Sequence, residues 1–424
     1  MATRKDLNQD NHLVSKCLLT LIIIGIPCNL LSNQHYDSSW TIGEWLISYA
    51  GGFARRGLPG SLLHEAAIRL NISPIYCIWL ISIFFFACLA GLLWRFCRRR
   101  LTLYILLSPM MLLGPIIGDY LVRKDTMLLT LFGFSLLSTE KFIGAKKCSW
   151  LGLLIVNILS IIAILSHESY GFWAIPGLFL AILYAQSRNT ETQLKEIRVT
   201  SVGIYLLPSF TAFLACLICK GSELHALTIH QSWQSQADLV PSIGALARSL
   251  PTGAIEAIGW TIHKGLSLSK ATLNDFSYGI WVPAAWLLTI YVCIQFFIAD
   301  RNPEHVATKK FIVLLQLTTI SPLFILGWDF GRWIFIWITS SALLHGYFPK
   351  NINLNSFNIQ SLKRFNNLIN KLNSNLFLHR NRKAMLLFLG IPSCCWTAKD
   401  FLASTPIGYL VNVLNLVLST ISTH

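Results

Sequence analysis

The feature that most limits what this chain can become is the return, along its whole length, of long apolar runs almost free of charge. A helix needs roughly 20 apolar residues to cross a bilayer, and backbone polar groups in hydrocarbon must be satisfied inside the segment, which a helix does. Runs of suitable length predict spans at about 13–32, 74–94, 102–118, 120–138, 150–166, 169–187, 200–219, 278–299, 311–327 and 331–347. Two more are predicted near 385–397 and 404–421. Only 12% of the 424 residues are charged, about half of what a soluble domain carries. The expected fold class is therefore all-α: a polytopic helical bundle of about 10–12 transmembrane helices, residues 1–424 forming one multi-pass domain. The first run, "CLLTLIIIGIPCNLLS", is followed by no small-x-small cleavage pattern and reads as a retained span.

A formal charge of +15 raises nucleic acid as a partner, and the placement of the charges removes it. With the amino terminus inside, most Lys and Arg fall in the predicted inner segments. These include Arg4, Lys5, Arg95, Arg98, Arg99, Arg100, Lys141, Lys146, Lys147, Lys309 and Lys310. A further basic, Asn-rich stretch, about 348–384, is predicted to lie along the anionic inner leaflet. This is the positive-inside pattern of a protein of the bacterial cytoplasmic membrane. The eleven Cys lie mostly in or beside spans, and the lone CxxC, "CLIC" at 216–219, has no second pair at ligand spacing. Packing is the expected role of that pair, and neither a zinc site nor a disulfide framework is indicated.

The opposite face carries compact polar groups. The first outer loop, about 33–73, holds Asp37, Glu44, Arg55 and Arg56, the last two inside "GGFARRGLPG". The turn "GDYLVRKDTMLL" holds Asp119, Arg123, Lys124 and Asp125; "LSHESYGFWAIP" holds His167 and Glu168; "GWDFGRWIFIW" holds Asp329 and Arg332. Any one of these reads equally well as a solvated turn. Four groups mixing acids and bases on one face point to a shared site, since ionisable residues at a membrane boundary are costly to keep.

Arginine offers a planar fork of donors suited to phosphate, and a carboxylate or His beside it can take a proton from a hydroxyl. Arg332, Arg123, Arg55, Arg56 and Lys124 supply the cations on this face, Glu168, His167, Asp37 and Glu44 the groups able to take a proton, and Asp329, Asp119 and Asp125 further carboxylates. Asp329 is expected to cap the helix that begins beside it, leaving Arg332 in need of an anion. Trp40, Trp45, Tyr49, Trp173, Trp233, Trp260, Trp328 and Trp333 fall near the outer boundary, mostly as a membrane belt, some as platforms for sugar rings. The long outer loop, about 221–277, has the length of a functional segment such as a lid. Such a set of groups suits a lipid-phosphate-linked sugar.

"VRKDTMLLTLFGFSLL", "LLIVNILSIIAILSHESYGFWAIPGLF" and "DFGRWIFIWITSSALL" resemble bacterial exopolysaccharide polymerases of the EpsG/Wzy-like type. Arg123, His167 with Pro176, and Arg332 stand at the matching positions, whereas "GGFARRGLPG" has no counterpart there and leaves open a GT-C-like membrane glycosyltransferase. The resemblance implies glycosyl transfer on the extracytoplasmic face, from a polyprenyl-(pyro)phosphate-linked sugar donor to a glycan acceptor at the membrane lipid. It implies phosphate-binding roles for Arg332, Arg123, Arg55 and Arg56, with Lys124 beside them, a catalytic base among Glu168, His167, Asp37 and Glu44, and supporting roles for Asp329, Asp119 and Asp125. No cofactor is implied, though a divalent metal is compatible with the carboxylates; no ligand spacing calls for one. The alternative is a lipid-linked sugar flippase or another polytopic transporter, for which mid-span charges and internal repeats would be expected.

Overall fold

The computed structural model describes residues 4–35, 39–117, 120–143, 149–187, 199–236, 249–261, 306–327 and 329–348, with isolated positions between 246 and 270. The predicted spans 278–299, 385–397 and 404–421, the basic segment beyond residue 348, Asp37, Asp119 and Trp328 lie outside the described residues. The described residues are helical and include no strand. The helices are α1 (Arg4–His35), α2 (Thr41–Leu46), α3 (Gly57–Leu70), α4 (Pro74–Cys97), α5 (Leu103–Leu106) and α6 (Gly114–Ile117). Then come α7 (Asp125–Ser138), α8 (Ser149–Ser166), α9 (Ser169–Ser187), α10 (Val199–Tyr205) and α11 (Leu207–Ile218). The last are α12 (Glu223–Gln234), α13 (Gly253–Glu256), α14 (Val306–Leu326) and α15 (Phe330–Tyr347).

Three segments are long and apolar enough to cross a membrane, Pro74–Cys97, Asp125–Ile143 and Lys309–Leu326; α11 and α12 would add a fourth if their 97° bend lies within one span. The outward surfaces match a hydrocarbon environment. On α8, Leu154, Ile158 and Ile162 recur at four-residue spacing and are exposed, as are Leu207, Phe210, Leu214 and Ile218 on α11. Side chains three or four apart share one helix face, so these are continuous apolar stripes, of a kind monomeric soluble proteins rarely leave open.

Helix α7 runs through the middle. It packs on α4, α8, α9 and α15, and its residues are buried all round, from Asp125 to Leu136, with few exceptions. A helix without a polar face belongs in a core. Polar side chains join neighbours across the bundle: Thr130 Oγ1 donates to Phe85 O at 2.9 Å, Trp337 Nε1 to Val313 O at 2.7 Å, and Ser340 Oγ to Gln316 Oε1 at 3.1 Å. In lipid, where burial gives helices little reason to associate, such bonds and close packing hold a bundle together.

Two predicted spans are not continuous helices. Residues 102–117 form α5 and α6 joined by turns, because Pro109 lacks the backbone donor that a continuing helix would need, and Pro115 stands in the first turn of α6. The stretch 200–219 breaks at Leu206, ahead of Pro208; there Asn157 Nδ2 donates to Tyr205 O at 2.8 Å, and Asn157 Oδ1 accepts from Ser209 Oγ at 2.7 Å. The span predicted from residue 120 starts its helix only at Asp125, residues 120–124 being a buried turn. The aromatic belt is also smaller than expected. Trp45, Trp173, Trp233 and Trp333 are core residues, while Trp40 is exposed and packs edge-on against Trp260, ring centres 5.7 Å apart.

The two ends of the bundle differ in charge. Where α4, α7 and α15 finish lie Arg95, Arg98, Arg99 and Arg100; Arg95 pairs with Glu140 at 3.6 Å, and Arg100 donates to His345 O. Where α7, α9 and α15 begin and α8 ends, acids and bases are mixed.

Candidate functional site

Three helix beginnings gather at that mixed end, each with a carboxylate at or beside its first residue: Asp125 opens α7, Glu168 precedes α9, and Asp329 precedes α15. The positive end of a helix dipole favours a carboxylate there. The acids are thus placed by local structure, and the basic residues reach them from elsewhere in the chain.

Helix α2 brings the fourth carboxylate. Trp45 Nε1 donates to Val122 O, and Trp233 Nε1, from α12, donates to Leu46 O at 2.7 Å. Helix α12 therefore clamps α2, and Ala254 N of α13 donating to Ser39 O at 3.0 Å adds a second tie. Helix α3 presses so closely that a Cβ at Gly60 would stand 2.0 Å from Ile47 O. Glu44 is driven inward, 1% exposed.

The "GGFARRGLPG" element, unexplained by the family resemblance, turns the chain back toward α8 and α9. Gly52 supplies a φ of +107°, and Arg55 N donates to Cys219 O at 3.1 Å, which fixes the loop on the end of α11. Arg56 itself adopts φ +69° immediately before α3. A non-glycine residue there costs of order 1 kcal/mol and is found where the surroundings enforce it. Cys216, of the CxxC, is buried with its thiol 3.9 Å from Ile164 O.

The side chains meet in two linked groups. In the inner one, Arg332 forks Asp125, Nε to Oδ2 at 2.6 Å and Nη2 to Oδ1 at 2.9 Å, and gives Nη1 to Asp329 Oδ2 at 2.6 Å. Arg123 Nη1 donates to Glu44 Oε2 at 2.9 Å, and Arg332 Nη2 stands 3.7 Å from the same oxygen. Lys124, fully buried, donates through Nζ to Ser166 O at 3.1 Å and Arg56 O at 3.4 Å and lies 5.7 Å from the centre of the Trp45 ring. In the outer group, both oxygens of Glu168 are taken: Arg56 Nε and Nη2 donate at 2.8 and 2.6 Å, and Arg55 Nη1 at 3.2 Å. Arg55 Nη2 also donates to Ala257 O at 3.3 Å. His167 joins the two, with Nε2 3.5 Å from Glu44 Oε1 and Nδ1 3.7 Å from Glu168 Oε2.

Five basic side chains, four carboxylates and one His thus meet from five places in the sequence. Compared with protein-family models, curated proteins and solved structures, the chain matches none.

Burial pushes the Glu44 carboxyl up, but Arg332, Arg123, His167 and Lys124 outweigh it and hold that carboxyl well below the usual carboxylate range. The same contest, with Arg56 and Arg55 opposing burial, keeps Glu168 ionised. His167 goes the other way: burial and the Arg56 charge push it down to about 3. It is neutral at any ordinary pH. Ser169 N donates to His167 Nδ1 at 3.2 Å, so the ring proton belongs on Nε2, facing Glu44. Glu44 Oε1 has no hydrogen-bond partner although it is buried.

The structure brings together Glu44, Arg55, Arg56, Arg123, Lys124, Asp125, His167, Glu168, Asp329 and Arg332. Asp329 does stand at the cap position of α15, but its side chain makes no cap bond and instead binds Arg332. The guanidinium one turn in is the stronger attraction. Arg332 has two carboxylates in its fork, the second supplied by Asp125, 207 positions away. No local signal could have shown that partner. Among the described residues no group of three or more His, Cys, Asp or Glu is placed to hold a metal ion; the carboxylates are turned toward cations.

Proposed function

We propose that this protein is a membrane glycosyltransferase or polysaccharide polymerase that uses polyprenyl-(pyro)phosphate-linked sugars on the extracytoplasmic face of the bacterial cytoplasmic membrane. In this reading the whole chain is one polytopic bundle of about 10–12 transmembrane helices with its amino terminus in the cytoplasm. The observation that carries the proposal is the mixed acid–base cluster at one end of an array with membrane-length apolar helices, opposite an end rich in arginine.

In the transfer step the acceptor hydroxyl gives its proton to a carboxylate, and its oxygen bonds the anomeric carbon. The bond from that carbon to the phosphate oxygen breaks, its electron pair leaving on the polyprenyl (pyro)phosphate. Cations fixed before the reaction stabilise that charge most effectively. Glu44 is the base we favour, because Oε1 is the carboxylate oxygen with open acceptor capacity, and His167 fixes its orientation from 3.5 Å. An anion bound among the arginines would offset the charges that now hold the Glu44 proton affinity down.

A strain lacking the protein should lose the glycan and accumulate lipid-linked oligosaccharide on the outer leaflet, and Glu44→Gln should reproduce this with the protein still in the membrane. Accumulation on the inner leaflet would instead identify a flippase. An unchanged glycan and lipid-linked pool would overturn both readings.

A further inference from the structure

The cations of the cluster are not equivalent. Arg332 and Lys124 are closed off from solvent and their donors are committed to Asp125, Asp329 and backbone carbonyls. Arg123 is bound to Glu44 at the same depth. Only the side chains of Arg55 and Arg56 reach the surface, 22% and 21% exposed, and both close on a single carboxylate, Glu168, which is 8% exposed. Their backbone is fixed independently of that carboxylate, by the bond from Arg55 N to Cys219 O and by the start of α3. Arg55 Nε is buried without a partner. Two neighbouring guanidiniums, held open by the backbone, converge on one planar anion and keep a donor to spare.

We propose that Arg55 and Arg56 form the diphosphate subsite of the protein and that Glu168 is its resident anion, displaced when a diphosphate-bearing substrate binds. The inference rests on the proposed use of a lipid-linked sugar donor, and it assigns that donor's diphosphate to this pair rather than to Arg332 or Arg123. A carboxylate and a phosphate both match the arginine fork. A diphosphate carries more charge and more acceptor oxygens than Glu168, and so engages both guanidiniums, Arg55 Nε included. Glu168 keeps the two cations from repelling one another while the site is empty, and sets a threshold against weakly charged lipids and monoanions.

The test is binding of inorganic pyrophosphate to the purified full chain in detergent, followed by calorimetry. Glu168→Gln removes the competing charge and should tighten binding at least tenfold, whereas Arg56→Gln should abolish it and Arg332→Lys should not. Unchanged or weaker binding by Glu168→Gln would overturn the displacement. A wild-type protein and Glu168→Gln variant that both fold and both fail to bind would overturn the subsite while leaving glycosyl transfer, scored by glycan loss in the deletion strain, standing or falling by itself. A second measurement needs no variant: carbodiimide labelling of Glu168, read by mass spectrometry, should rise when pyrophosphate is added to the wild type. Labelling that stays constant or falls would count against the displacement, even if Glu168→Gln does not fold.

Discussion

Replacing Arg332 by Lys separates a clamp from a ligand. In the structure the guanidinium makes three short charge-assisted bonds, two to Asp125 and one to Asp329. Asp125 lies on the central helix α7, so this contact joins α7 to α15. A lysine keeps the charge but offers one nitrogen, which can serve one carboxylate and leaves the other short. Each bond to a charged group is worth about 1.5–3 kcal/mol, and breaking a buried pair costs about 3–5 kcal/mol. We expect Arg332→Lys to lower stability by about 3 kcal/mol. An exposed pair of the same chemistry would be worth only about 0–1 kcal/mol, so the magnitude itself discriminates. The assay is unfolding of the detergent-solubilised protein by graded SDS, followed by tryptophan fluorescence. A double-mutant cycle with Asp125→Asn should return a coupling of about 2–3 kcal/mol. A Lys variant within about 0.5 kcal/mol of wild type, or a cycle with no coupling, would refute the clamp and make Arg332 available to substrate.

Gly60→Ala should destabilise by about 1–3 kcal/mol, because the new Cβ meets the Ile47 carbonyl, which is backbone and cannot turn aside; the same SDS titration measures it, and a neutral outcome would show that α2 is free to move. Asn157→Leu strands Ser209 and the Tyr205 carbonyl at the break between α10 and α11, and should cost about 1–3 kcal/mol in that assay. His167 sets an acid limit on the fold. Its folded pKa of about 3 lies below the value of about 6.5 it takes when unfolded, so the unfolded chain binds the proton first and stability falls as pH drops through 6.5 toward 3. Between pH 7 and 5 this amounts to about 2 kcal/mol. The carboxyls of Glu44 and Glu168, held low, add to the loss only below about pH 5, where the same carboxyls in the unfolded chain begin to take up protons. His167→Asn should flatten the wild-type decline by that amount, and parallel stability curves would show that the ring is solvated and titrates normally.

Local sequence carried some of this structure and not the rest, for reasons that follow from the range of each interaction. The exact match of α9 to the predicted 169–187, and of α8 to within a residue of 150–166, reflects apolar runs whose ends are set by polar residues next to them. Residues 102–118 are equally apolar, and hydropathy has no term for the donor that Pro109 lacks. The tryptophans mislead similarly: Trp45 and Trp233 have the composition of a membrane belt, but their indole N–H groups find the Val122 and Leu46 carbonyls, and they become pins. Which polar turns belong together could be inferred from one face carrying acids with bases. Which acid holds which base could not, because Arg55 and Glu168 are 113 positions apart, and Arg332 and Asp125 nearly twice that.

The pairing has a consequence for how any anion could enter. Where α7, α9 and α15 begin, three helix dipoles would favour a phosphate as readily as they favour Asp125, Glu168 and Asp329. The protein has filled each such place with its own carboxylate. Asp125 and Asp329 share one guanidinium deep in the cluster, so displacing either leaves a buried charge unpaired and loosens two core helices at once. Glu168 is different: its partners reach solvent, their backbone is anchored elsewhere, and releasing it uncovers two cations without breaking a contact between α7 and α15. Energetics alone therefore orders the three carboxylates, with Glu168 first to yield. An anion approaching this end would meet Arg55 and Arg56 before the other cations of the cluster, and would leave the Arg332 clamp intact behind them.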